Sequence, residues 1–313
     1  MQDIVFIVLG LVLLIFGGDW LLKAAVGLSL RLNISKVVIG MTVVSFATSA
    51  PELIVSINAA LDGFPDLALG NVVGSNIANL GLVLGVTVLL GVIDVKKTFY
   101  KTDWPVMMIA SMLFFMFIYF DGEIQRYEGI LMVTFLITFL IYLLRFQKVD
   151  TEELEDEGTN NLLPTYKVIL FLISGGVALW GGSELLIKGA VGMATYYEVS
   201  ERIIAVTVVS IGTSIPELAA SIIAIMKKEK AISLGNLIGS NIFNLLAVLG
   251  ITSIIHPIKV IDEGLLSNDI FWMLGISFLV LPLVLLPKKM KLSKLEGLFL
   301  LGMYIVFVYF TIT

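Results

Sequence analysis

The 313-residue chain has no cysteine and a single histidine, His256. A disulfide framework and a thiolate metal site are therefore excluded, and zinc and copper lose their usual soft or imidazole ligands. Charge is scarce as well: Asp, Glu, Lys and Arg make up 14% of the residues, against about 25% in ordinary domains. Acidic residues outnumber basic ones, 25 to 20, so there is no basic footprint for a nucleic-acid partner. Apolar runs are long and unbroken and lack the period-two alternation that barrel strands need, which excludes a membrane β-barrel.

What the chain has in excess is apolar surface. It is 58% hydrophobic with a mean hydropathy of +1.01, the composition of a polytopic membrane protein. Ten stretches are each long enough to cross about 30 Å of hydrocarbon as a helix: residues 3–22, 37–61, 67–92, 104–120, 124–144, 166–190, 202–226, 231–255, 268–286 and 295–312. The first opens Met1-Gln2-Asp3 with no basic region ahead of it, which reads as a retained helix and not a cleaved signal. His256, just before Pro257 at the end of the eighth stretch, reads as an interfacial residue.

Basic residues give the orientation, because Lys and Arg stay on the cytoplasmic side of short loops. With the N-terminus outside, alternate connections hold 16 of the 20 basic residues, from Lys23, Arg31 and Lys36 through Lys227, Lys228 and Lys230 to Lys294. Only Arg126, Lys188, Arg202 and Lys259 fall on the other side. The split predicts a cell-membrane protein with both termini extracellular.

The chain repeats itself. Val26–Gly85 laid over Val191–Gly250, a constant shift of 165, gives 28 identities in 60 positions, far beyond chance for apolar sequence. Each half then holds five helices, 1–147 and 165–313, joined by an acidic cytoplasmic linker, 148–164. An odd helix number forces the second half to enter from the opposite side, so the expected fold is all-α with two inverted five-helix repeats. The linker run Asp150–Glu157 lacks the Asp-x-Asp-x-Asp-Gly loop of a calcium sensor and reads as solvated.

The best-matched residues are the least lipid-like. Thr42-Val-Val-Ser45-Phe-Ala47-Thr48-Ser49-Ala50-Pro51-Glu52 is echoed by Thr207-Val-Val-Ser210-Ile-Gly212-Thr213-Ser214-Ile215-Pro216-Glu217. Gly70-Asn71-Val-Val-Gly74-Ser75-Asn76-Ile-Ala-Asn79 is echoed by Gly235-Asn236-Leu-Ile-Gly239-Ser240-Asn241-Ile-Phe-Asn244. Proline removes a backbone donor and clashes with the carbonyl four residues back, so Pro51 and Pro216 predict broken helices with freed carbonyls at Ala47 and Gly212. Irregular backbone at that depth must line a cavity or be buried in protein. Glu52 and Glu217 cost a few kcal/mol each at membrane depth, and cations are the natural compensation. All available ligands are oxygens, which suits Ca²⁺ and Na⁺. The bland readings are hydroxyls bonded to neighbouring carbonyls, and a proton-sharing carboxylate pair. The glycine motifs lack the Gly-Lys-Ser/Thr ending of a phosphate loop, and they predict close approach of span 2 to span 3 and of span 7 to span 8.

These motifs resemble the two alpha-repeats of the calcium/cation antiporter superfamily, and specifically its prokaryotic-type sodium/calcium exchangers. The resemblance implies a Ca²⁺ site of Glu52, Glu217, Thr48 and Thr213. It implies Na⁺ ligation by Glu52, Glu217, Ser49, Ser75, Ser214, Ser240 and Thr213, with backbone oxygens at Ser45 and Ser210. Asn79 and Asn244 lie beside the centre as further polar groups. Ala47 stands where the family has glycine, and asparagine at 244 departs from potassium-dependent relatives that carry aspartate there. The implied activity is electrogenic exchange of three Na⁺ for one Ca²⁺ by alternating access, performed by a monomer in the bilayer with no cofactor and no enzymatic step. The alternative is H⁺/Ca²⁺ antiport. A cation channel and an intramembrane enzyme fit the broken helices and closed ligand set less well.

Overall fold

A computed structural model describes residues 2–147, 163–197, 212–262, 264–286 and 289–312. Most of the acidic linker lies outside the described residues, as does the first half of span 7 with Thr207 and Ser210. The described chain is dominated by helices. They are α1 (Gln2–Leu32), α2 (Lys36–Thr48), α3 (Ala50–Leu61), α4 (Pro65–Leu90), α5 (Phe99–Asp121), α6 (Arg126–Phe146), α7 (Thr165–Tyr196), α8 (Ile215–Met226), α9 (Lys230–Ile255), α10 (Leu265–Leu285) and α11 (Lys294–Ile312). Among the described residues, eight helices are long and apolar enough to span a membrane. The α2–α3 pair, bent by 44°, makes a ninth span, and α8 is a shorter apolar helix.

Helix α1 runs ten residues past the expected end of span 1. Lys23 marks that end in the sequence, but in the structure it pairs with Asp19 one turn earlier at 2.7 Å. The charge is held along the helix and does not stop it, so Lys23 and Arg31 belong to α1 and not to a loop. Arg31 then closes the helix end by donating to Thr165 Oγ1 at 2.6 Å and to the Leu163 carbonyl.

The chain forms two compact units, neither of which is one half of the duplication: residues 1–48 with 140–236, and 49–139 with 237–311. In the first unit, α1 and α7 run antiparallel along a seam of glycines. A Cβ at Gly10 would lie 2.8 Å from the Gly182 carbonyl, and one at Gly17 would lie 3.0 Å from the Gly175 carbonyl. Only hydrogen side chains permit that approach, and such small-residue contacts replace hydrophobic drive between membrane helices. Gly235, on the first turns of α9, meets the Val37 carbonyl of α2 at 2.3 Å from its would-be Cβ.

In the second unit the copies interlock reciprocally. Gly85 of α4 packs on Gly297 of α11, and the equivalent Gly250 of α9 packs on Gly129 of α6. Four two-residue strands do the same: β1 (Ile93–Asp94) pairs antiparallel with β4 (Lys291–Leu292), and β2 (Glu123–Ile124) with β3 (Ile258–Lys259). Each ribbon carries one ion pair, Asp94–Lys291 at 3.1 Å and Glu123–Lys259 at 3.8 Å.

The expectation that the motif glycines bring spans 2 and 3 together is corrected at Gly70 and Gly74, beside which a Cβ would meet nothing within 4 Å. The close approach occurs instead at Gly235, against α2 of the other copy. Sequence spacing gives a glycine's face on a helix but not which helix lies opposite.

Candidate cation site

The break expected at Pro51 is present, where α2 and α3 meet at 44°; at Pro216 the described residues show the start of α8, and the helix half expected before it lies outside them. Helix α3 restarts at Ala50 with Pro51 in its first turn, after Ser49 at φ −88°, ψ 2°. Helix α8 begins at Ile215 with Pro216 in its first turn, after Ser214 at φ −89°, ψ 4°. Proline is tolerated there because a first-turn N–H has no helical partner anyway. Each start puts a glutamate, Glu52 or Glu217, in the first turn of a 12-residue helix, where the unpaired N–H groups and the helix dipole stabilise a negative charge. Both glutamates have 0% exposure.

In the first unit, the bend at the end of α2 is tied to the start of α9. Ser45 Oγ donates to the Gly40 carbonyl at 2.8 Å and lies 2.9 Å from the Asn236 carbonyl. Thr48 Oγ1 lies 3.2 Å from Asn236 Oδ1 and 3.4 Å from the Ser45 carbonyl. The unit also holds Thr213, half-buried, and Ser214, fully buried, whose hydroxyl has no hydrogen-bond partner among the described residues. The Gly212 carbonyl, four residues before Pro216, accepts a hydrogen bond from Ser183 Oγ at 2.8 Å. Ser183 has no counterpart in the first copy, where Gly18 stands at the matching position.

The Ala47 departure also finds its reason in this unit. A Cβ at Gly212 would lie 2.4 Å from Ile187 Cδ1, whereas the Cβ of Ala47 faces Gly176, 3.9 Å from where a Cβ would sit there. Methyl against glycine in one copy replaces glycine against isoleucine in the other.

The second unit holds Glu52, Ser49, Ser75, Ser240, Asn79 and Asn244, all 3% exposed or less. Asn71 Nδ2 donates to the Glu52 carbonyl at 3.2 Å and to Ser56 Oγ at 3.0 Å, so the glutamate's backbone is fixed from α4. Four amides close a reciprocal set: Asn76 Nδ2 and Asn241 Nδ2 donate to each other's backbone carbonyls at 3.3 and 3.5 Å. Asn79 Nδ2 donates to Asn241 Oδ1 at 3.3 Å and Asn244 Nδ2 to Asn76 Oδ1 at 3.1 Å. Asn79 and Asn244 each open a π-helical turn, 79–83 and 244–249, a distortion common at functional sites. Their Oδ1 atoms are buried and have no hydrogen-bond partner among the described residues.

The donor set is thus carboxylate, hydroxyl, amide and carbonyl oxygen. Oxygen donors with few charges and many neutral groups suit a hard cation. Sequence reasoning missed Ser183, and it gave Asn236, Asn76 and Asn241 no role of their own. The amides were visible as repeated motif positions, but Ser183 carried no signal because the copies differ there.

Comparison with known proteins points to the same chemistry. The model of the family described as "Sodium/calcium exchanger protein" matches residues 3–145 and 167–313. CaxA of Alkalimonas amylolytica, described as a candidate antiporter, is 39% identical over 311 residues, covering 97% of each chain. The sodium/calcium exchanger MaX1 of Methanosarcina acetivorans is 29% identical over 342 residues, covering 96% of each. Among solved structures, the sodium-calcium exchanger NCX_Mj soaked with 2.5 mM Na⁺ and 0.1 mM Ca²⁺ superposes with a TM-score of 0.83 at 27% identity, covering 99% of this chain and 98% of that one.

Proposed function

Because the chain belongs to the sodium/calcium exchanger family, a family of membrane cation antiporters, we propose that it exchanges Na⁺ for Ca²⁺ across the cell membrane by secondary active, electrogenic antiport. The observation that carries this reading is the pair of fully buried glutamates, Glu52 and Glu217, each in the first turn of a helix with proline in that same turn. Glu52, Glu217, Thr48 and Thr213 hold Ca²⁺. The same glutamates, with Ser49, Ser75, Ser214, Ser240 and Thr213 and the backbone oxygens of Ser45 and Ser210, hold Na⁺, and Asn79 and Asn244 flank the centre.

Two ionised glutamates carry two negative charges, which one Ca²⁺ neutralises. Three Na⁺ leave one net positive charge, so each cycle moves one charge, worth about 2.3 kcal/mol per 100 mV. The ten spans form two inverted five-helix repeats, both termini are extracellular, and one monomer suffices. The reciprocal amides and ribbons of the second unit support a twofold relation between copies. The glycine seam supports α1 and α7 moving as a pair during alternating access.

The test is ⁴⁵Ca²⁺ uptake into sealed proteoliposomes. Uptake should follow an outward Na⁺ gradient and ignore a pH gradient. Uptake driven by the pH gradient with Na⁺ absent would overturn sodium coupling in favour of H⁺/Ca²⁺ antiport.

A further inference from the structure

The first unit contains a groove of about 730 Å³ between α1 and α8, walled by Leu11, Leu14 and Ile15 on one side and Leu218, Ile222 and Met226 on the other. Asp19 and Lys227 are the charged residues of its lining. A smaller cavity of about 240 Å³ shares Asp19 and Lys227 and adds Lys23 and Glu229. The groove is therefore apolar along its length and ionic at one end. We propose that it binds an anionic phospholipid, with one acyl chain along the apolar walls and the phosphate at Lys23 and Lys227.

Three properties fit that occupant. Helix α8 offers 12 residues of wall, about 16–18 Å at 1.5 Å per residue, close to the depth of one leaflet's hydrocarbon, about 15 Å. At the ionic end, Asp19 pairs with Lys23 at 2.7 Å and Lys227 at 3.2 Å, while Glu229 is engaged by Lys36 at 2.9 Å. Lys23 and Lys227 thus share the single carboxylate of Asp19, and their side chains remain 49% and 59% exposed, within reach of a phosphate. The basic end also lies on the side that Lys and Arg placement assigns to the cytoplasm, the leaflet where anionic headgroups concentrate. A zwitterionic headgroup fits worse, since it would bring a second cation to an end that already has an excess positive charge.

The experiment uses the full chain in phosphatidylcholine vesicles doped with phosphatidylglycerol bearing a photoactivatable acyl chain, with cross-links mapped by mass spectrometry. Cross-links should fall on 11–16 of α1 and 218–226 of α8, and excess phosphatidylglycerol should compete them out where excess phosphatidylcholine does not. Ala219→Trp, which fills the groove, should abolish them. Lys23→Gln with Lys227→Gln leaves the walls intact and should lower the phosphatidylglycerol preference by about fivefold per lysine. Equal competition by phosphatidylcholine would remove the anionic headgroup from the proposal, labelling undiminished by Ala219→Trp would remove the groove, and an unchanged preference in the lysine variant would remove the lysines. The labelling requires no transport, so its failure is separable from failure of the exchanger reading.

Discussion

Asn76 and Asn241, equivalent residues of the two copies, each donate a side-chain N–H to the other's backbone carbonyl, at 3.3 and 3.5 Å. Both are 1% exposed, and each also accepts or buttresses a bond from the second amide of the opposite copy. The arrangement satisfies buried amides with one another and orients Asn79 and Asn244 so that their Oδ1 atoms stay available.

Removing one member of this set leaves buried partners unsatisfied. Asn241→Ala should lower stability by about 1–3 kcal/mol, read as a drop in thermal midpoint in detergent. The Asn76→Ala/Asn241→Ala double variant should cost less than the sum of the singles, since the bonds are shared. Additive costs would show that the two amides act independently.

The unequal pair Ala47 and Gly212 makes a directional prediction. Ala47→Gly should cost no more than about 0.5–1 kcal/mol, the penalty of glycine in a helix, because it makes no clash and opens space beside Gly176. Gly212→Ala drives a methyl to 2.4 Å from Ile187 Cδ1 and should cost about 1–3 kcal/mol by overpacking. Ile187→Ala should rescue it, and thermal unfolding of the three variants checks the order.

Two turns are improvable. The left-handed positions Gly63 (φ 84°) and Gly122 (φ 68°) of the first copy are Lys228 (φ 66°) and Met290 (φ 61°) in the second. A non-glycine residue is strained there by about 1–2 kcal/mol, so Lys228→Gly and Met290→Gly should each raise stability by part of that amount, the rest being lost to glycine's larger backbone entropy, seen as a higher unfolding midpoint.

Glu52→Gln and Glu217→Gln keep side-chain volume and remove charge. Each variant should fold, because a neutral amide is easier to bury at 0% exposure than a carboxylate. Each should lose Ca²⁺ uptake by two orders of magnitude or more, since one remaining carboxylate leaves a divalent ion under-neutralised. Uptake retained in either variant would take that residue out of the site.

Much of this architecture was legible in the sequence. The repeat at a shift of 165 located the starts of α3 and α8, because proline acts locally through a missing N–H and a clash. The buried glutamates, hydroxyls and amides were legible too, since polar groups in an apolar run have few other uses. Packing was not. Lys23 looked like the end of a span until Asp19 was seen holding it, and Gly70 and Gly74 looked like contact glycines although nothing lies beside them. Ser183, whose hydroxyl takes the Gly212 carbonyl, sits 29 residues away in sequence on another helix, so it is found only by asking where a freed carbonyl finds its donor.

The most direct test of the account is Ca²⁺ uptake into Na⁺-loaded proteoliposomes with the membrane potential set by K⁺ and valinomycin. Three Na⁺ leaving for each Ca²⁺ entering carry one positive charge outward, so an interior-positive potential should accelerate uptake and an interior-negative one should slow it. At zero potential, a tenfold Na⁺ gradient should sustain a Ca²⁺ ratio of about 1,000. Uptake indifferent to the potential, with a limiting ratio of about 100, would contradict it.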